Sequence, residues 1–189
     1  MAATNAFNIT TLKGALKKGG ARPSLFEFTV SGGAAGNTLP DMKYFCQVSA
    51  LPPLTVTPIE KVYFGRTVKI PGDIVFGDLT TTIYQTEKGD ERFNIESWMD
   101  KINSHVYNKS SLETSTANFM GKYSSTGTLV QYNKAGDTTP LSTVEFVDMW
   151  PQTVAEIPLS YDTASDIEQF DVTWSYNHYE VKIGTTKYV

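Results

Sequence analysis

At 189 residues, with 40% hydrophobic and 19% charged side chains, the chain is long enough to bury a core and is composed like one folded domain. A formal net charge of −4 speaks against a dedicated nucleic-acid binder, and no apolar run reaches the length of a membrane-crossing helix. A single cysteine, Cys46, excludes an internal disulfide framework and a cysteine metal cluster.

The first residues carry no basic leader followed by an apolar stretch, so no secretory signal is expected. Residues 1–8 read as a mobile or docking arm. Ile9, Leu12 and Leu16 then recur at helical spacing, with Lys13, Lys17 and Lys18 on other faces and Gly19-Gly20 as the stop. A helix this short needs something to lie against. A basic amphipathic stretch also suits a membrane surface, for which three lysines and three apolar residues are a thin signal.

From Arg22-Pro23 the period changes to two. Phe26, Phe28 and Val30 fall on one face of a half-buried strand. Residues 31–41, with Gly32-Gly33 and Gly36-Asn37, form a loop by composition, and 42–49 read as the next strand. Cys46 sits within it as a small buried hydrophobe.

Residues 51–64 are unusual. Pro52, Pro53 and Pro58 keep this stretch out of a central sheet, yet Leu51, Leu54, Val56, Ile59, Val62, Tyr63 and Phe64 are apolar. A long loop of this kind is costly to expose. The expectation is that it covers a sheet edge or docks on a neighbour.

Alternation resumes at 66–70 and 78–84, with Pro71-Gly72-Asp73 and Gly77 as punctuation. Asp90 is the expected cap of the main helix, about 91–106, whose stripe is Ile95, Met99, Ile102 and Val106, with Phe93 and Trp98 beside it. Residues 107–121 are irregular. Strands follow near 122–133, 141–150 and 166–182. The order predicts a mainly β fold, a small antiparallel sandwich or barrel with one flanking α-helix. Its expected divisions are an arm with a short helix (1–20), one β domain (21–182) and a tail (183–189).

Catalysis finds little support. His105 and His178 lie far from any ligand spacing, and no nucleophile elbow, P-loop or dinucleotide fingerprint occurs. No catalytic residue, metal or cofactor is expected, although Asp and Glu are plentiful enough to leave carboxylate chemistry open. Asn8-Ile9-Thr10 and Asn108-Lys109-Ser110 match the glycosylation pattern by chance on this reading. Charge is split: residues 1–72 hold 8 basic and 3 acidic side chains, residues 73–189 hold 8 and 17. A self-assembling subunit can use such a split to set polarity; ordinary solvated charge fits the counts equally well.

The last third carries Trp150-Pro151, then 155–162 (AEIPLSYD), then 167–174 (IEQFDVTW). It reads as a strand end, a polar turn and a second strand with aromatics on both faces. Trp174 and Tyr176 are expected on one face and Tyr179 on the other, leaving at least one ring outermost. Together with Ala21-Arg22-Pro23-Ser24-Leu25-Phe26 and the run from Ala50-Leu51-Pro52 to Phe76, this segment resembles the tail tube proteins of contractile-tailed (T4-like, myovirus) bacteriophages.

The resemblance implies a structural virion protein of the phage tail, assembled in the host cytoplasm. Six copies would form a ring, and stacked rings a hollow tube inside a contractile sheath. The implied partners are other copies, sheath subunits, baseplate and tail terminator proteins, and the tape measure protein and transiting DNA in the lumen, without specific DNA binding or a membrane anchor. Two other readings are the inner tube of a headless contractile injection system and a secreted β-sandwich binding module. The surfaces expected to need a neighbour are the stretch Leu51, Pro52, Pro53, Leu54, Val56, Ile59, Val62, Tyr63 and Phe64, and the rings Trp174, Tyr176 and Tyr179.

Overall fold

The structure, a computed structural model, describes residues 9–16, 20–31, 39, 41–107, 110, 123–134, 140–163, 166–184 and 186–188. The expected arm 1–8, most of the glycine loop and most of 107–121 lie outside the described residues. In chain order the elements are α1 (Ile9–Ala15), β1 (Phe26–Ser31), α2 (Met42–Phe45), β2 (Cys46–Ser49), β3 (Leu54–Tyr63), β4 (Arg66–Phe76) and β5 (Leu79–Tyr84). They continue with α3 (Asp90–Ile102), β6 (Ser125–Gln131), β7 (Ser142–Val154), β8 (Gln169–Ser175), β9 (His178–Ile183) and β10 (Thr186–Lys187).

One antiparallel sheet runs β1-β6-β7-β8-β5-β2, with β9 joined to β7 and β10 to β9. Strand β7 turns the corner. Thr143 to Val147 pair with β9, while Trp150 to Val154 pair with β8. Between them Asp148 takes a left-handed conformation (φ 56). Its carboxylate accepts from Ser124 Oγ at 3.2 Å and from Asn177 Nδ2 at 2.8 Å. The register of β6 on β7 shifts at this point, so the bulge bends the strand from one sheet face to the other.

The bend closes the inner faces over one core. Phe28 on β1 meets Trp174 on β8 with ring centroids 6.2 Å apart, although β8 stands three places along the sheet. Phe28, Val30, Leu79, Ile83, Phe146, Met149, Val172 and Trp174 are all buried there. Helix α3 seals one side with Ile95 and Trp98, and the Trp98 indole donates to the Tyr123 carbonyl at 2.7 Å. A mainly β barrel-like sandwich with a flanking helix is therefore the observed class.

Several boundaries differ from expectation. Residues 42–45 form a helical turn, with Met42 buried and its N–H on the Leu39 carbonyl, so the strand expected from 42 starts at Cys46. Strand β7 continues through Pro151 to Val154, past the expected end at 150. Pro151 is tolerated because the ladder shifts register beside it, between Pro151 and Thr153. Helix α3 begins at Asp90 after Gly89 (φ 72) with no side-chain cap and ends at Ile102, short of the exposed Val106; Phe93, in its first turn, is exposed too. Instead of an Asp90 cap, Glu91 accepts from the Thr86 N–H and hydroxyl at 3.0–3.1 Å. The expected final strand is two strands, β8 and β9, separated by a turn at 176–177. Past it, β10 folds back on β9 across the boundary expected at 182.

Candidate functional site

The apolar stretch 51–64 is a strand where a loop was expected. β3 and β4 make a hairpin of their own, paired from Leu54 opposite Phe76 to Tyr63 opposite Arg66, and hydrogen-bonded to no other strand among the described residues. Phe64 (φ 46) and Gly65 (φ 78) turn the tip, both left-handed, as a two-residue hairpin turn requires. Pro58 faces Pro71 across the ladder, so neither donates there. The register shifts at this point and Gly72 lets the strands approach. A Cβ on Gly72 would lie 2.6 Å from the Thr57 carbonyl oxygen and 2.8 Å from Ile59 Cγ1.

All of β3 is exposed. By the two-residue period, Leu54, Val56, Pro58 and Val62 share one face, and Ile59 and Tyr63 the other, with Val68 and Ile70 opposite. Both faces are thus apolar, and Phe64 at the tip is 89% exposed. A two-stranded ribbon has no core of its own and is marginal alone in water. Its charged residues are Glu60, Lys61, Arg66, Lys69 and Asp73, with Lys69 paired to Glu60 at 3.2 Å.

The hairpin is clamped at its root. The Gly77 N–H donates to the Pro53 carbonyl at 3.2 Å, and the Tyr176 hydroxyl donates to the Gly77 carbonyl. Phe76 stands edge-on to Tyr179 at 5.4 Å, and Phe146 lies 5.0 Å from Tyr176, joining the root to the core. Burial, then the neighbouring Tyr179 and Asp78, push the Tyr176 phenol up to about 12, so it stays a hydrogen-bond donor.

The residues expected to seek a neighbour thus divide. Leu54, Val56, Ile59, Val62, Tyr63 and Phe64 are gathered on the exposed hairpin; Leu51 and Pro53 are exposed at its root, and Pro52 is half-buried. Tyr176 and Tyr179 share one cluster, where opposite faces of one strand were expected, because the chain turns between them. Trp174 leaves the set. Its ring is fully buried, packed 5.9 Å from Trp98, with its N–H on Thr81. Sequence reading missed Val68, Ile70, Ile74 and Val75 on the second hairpin strand, all exposed. The signal for them was Gly65 set between two β-rich runs.

Other side chains carry less. Cys46 is half-buried, and burial pushes its thiol up to about 12. His105 lies exposed beside Asp100 at 3.3 Å. Among the described residues, no group of three or more His, Cys, Asp or Glu could hold a metal ion, and no helix is long and apolar enough to cross a membrane.

A filled β core beside a two-faced apolar hairpin is the build of a structural subunit. The chain belongs to the phage tail tube protein family, whose model matches residues 2–182. It is 27% identical over 160 residues to the tail tube protein gp19 of Enterobacteria phage T4, covering 85% of this chain and 91% of that one. A chain of the PVC sheath–tube complex, an extracellular contractile injection system in its extended state, shares the fold. It does so at 17% identity with a TM-score of 0.62, over 90% of this chain and 97% of the other. A chain of the anti-feeding prophage baseplate does so at 10% identity and a TM-score of 0.63, over 88% and 97%.

Proposed function

We propose that copies of this chain close into hexameric rings that stack as the hollow tube of a contractile phage tail. The tube lies inside the sheath and gives DNA a path into the host cell. The observation that carries this is the β3–β4 hairpin: apolar on both faces, clamped at its root and uncovered by the described residues. Such a ribbon is stable and soluble when a neighbouring copy covers it, and an adjoining ring supplies that copy. The edge strand β2 offers lateral pairing of the kind that closes a ring, whereas the outer edge of β1 is already bridged at Val30 by Leu39.

On this reading the chain works mechanically, as part of the virion tail, and catalyses nothing. Its partners are sheath, baseplate and terminator proteins outside and at the ends, with tape measure protein and DNA inside. The net charge of −4 suits a duct that DNA passes without sticking. The injection-particle reading shares the fold, but the T4 relative, at 27% identity, favours the phage. Negative-stain microscopy of the purified chain is the test. Rings or hollow rods are expected; monomers under every condition would sink the proposal.

A further inference from the structure

Two other surfaces are left uncovered, and they match. Helix α1 keeps Ile9, Leu12 and Leu16 66%, 58% and 51% exposed, at i, i+3 and i+7, so its whole apolar stripe faces water. Residues 9–22 carry Lys13, Lys17, Lys18 and Arg22 and no acidic side chain. The second surface is a cleft of about 550 Å³ formed by the connection from β7 to β8. Ile157, Leu159, Tyr161 and Ile167 line it with Asp166 and Glu168. Leu159, Tyr161 and Ile167 are all exposed. Residues 155–169 carry Glu156, Asp162, Asp166 and Glu168 and neither Lys nor Arg.

The cleft is held at both ends. The Ala155 N–H donates to the Asp171 carbonyl at 2.8 Å, and Arg92 Nη1 donates to the Ala155 carbonyl at 2.7 Å. At the far end the Gln85 N–H donates to the Glu168 carbonyl at 2.9 Å. The two ends of the connection that carries the cleft are therefore anchored on β8, on α3 and just past β5.

We propose that α1 of one subunit docks its Ile9/Leu12/Leu16 stripe in the 157–169 cleft of a neighbouring subunit. The docking rests on the tube reading above and adds a tether between copies, distinct from the hairpin contact. Charge selects the occupant. Lys13 on α1, with Lys17, Lys18 and Arg22 following it in the chain, suits a cleft lined by Asp166 and Glu168 with Glu156 and Asp162 in the same connection, and the hairpin offers no comparable excess of acid. Reach permits it: the nine-residue step from Leu16 to Leu25 spans up to roughly 30 Å when extended. The helix itself, seven residues long, is about 10 Å and too short to be stable without a surface.

The test uses the full-length chain. Leu12→Cys and Leu159→Cys variants are mixed, allowed to assemble, oxidised mildly and run without reductant. A disulfide-linked heterodimer that forms in the mixture well above either variant alone supports the docking. Assembled tubes without that link overturn the docking and leave the tube reading intact. A link found only as a fast-migrating monomer of the doubly substituted chain overturns it in favour of docking within one copy. Parent chains that never assemble remove both. Leu12→Asp provides a second arm: an unchanged melting temperature with loss of the tethered assemblies is expected. Leucine-dependent co-sedimentation with phosphatidylserine vesicles, without the cross-link, would assign α1 to a membrane instead.

Discussion

Trp174 donates its indole N–H to the Thr81 hydroxyl at 2.8 Å, and both side chains are wholly shut off from water. The bond ties β8 to β5 inside a cage of Trp98 and Phe28 rings. A polar pair in so apolar a place is tolerable only while both members are satisfied. It also fixes why Trp174 belongs to the fold and not to a contact between copies.

Thr81→Val keeps the volume and removes the acceptor. The stranded indole N–H should cost about 1–3 kcal/mol, while Thr81→Ser, which keeps the hydroxyl, should cost clearly less. Urea unfolding of the monomer measures it. Equal midpoints for the Val and Ser variants would show that the hydroxyl does not matter.

Gly72→Ala separates hairpin from core. The new Cβ meets a backbone oxygen at 2.6 Å, which cannot swing away as a side chain could, so the two strands must part around Pro58 and Pro71. The hairpin stands outside the core cluster, so the monomer's melting temperature should hardly move. Assembly should fall sharply. A melt followed by circular dichroism and a count of rods on stained grids check both halves; a large drop in melting temperature would place the hairpin in the cooperative core.

What the sequence disclosed follows from which patterns stay regular. The inner face of β1, Phe26-Phe28-Val30, was legible because period two survives along it. The first hairpin strand reads as a loop in sequence because prolines are normally barred from a ladder, and here Pro58 and Pro71 sit opposite each other at a register shift. Its turn was hidden too, since Phe64 holds the left-handed position usually given to Asn, Asp or Gly. Trp174 and Tyr179 could be placed on faces only by assuming one continuous strand, and the turn at 176–177 broke the phase. Asp148 left no local sign, for its left-handed turn is set by Ser124 and Asn177, distant in sequence.

Tyr176 gives a pH dependence. Its phenol is held up at about 12 from an ordinary 10.0, chiefly by burial, so the folded chain keeps the proton where the unfolded chain releases it. Stability from this group is complete below pH 10 and is lost as pH rises from there through about 12. In Tyr176→Phe nothing ionises at this position. Its unfolding midpoint should therefore decline less steeply over that range, and it should already be lower at neutral pH through loss of the bond to Gly77. Parallel curves for the two chains would refute the assignment.

Leu54 and Ile59 put the hairpin to its sharpest use. They lie on opposite faces of β3, each about half exposed in the single chain (52% and 49%). A carboxylate at either place stays in water while the chain is alone, so Leu54→Asp and Ile59→Asp should each leave the monomer within about 0.5 kcal/mol of the parent. In a stacked tube the same carboxylate enters an apolar contact, where an unpaired charge costs several kcal/mol. Because each ring repeats the substitution around its circumference, stacking should disappear rather than weaken. If one variant stacks and the other does not, only one face of the ribbon is covered. Sedimentation velocity gives the oligomer size and urea unfolding the fold. Loss of the fold in both would show that the hairpin is core and return the apolar ribbon to the monomer.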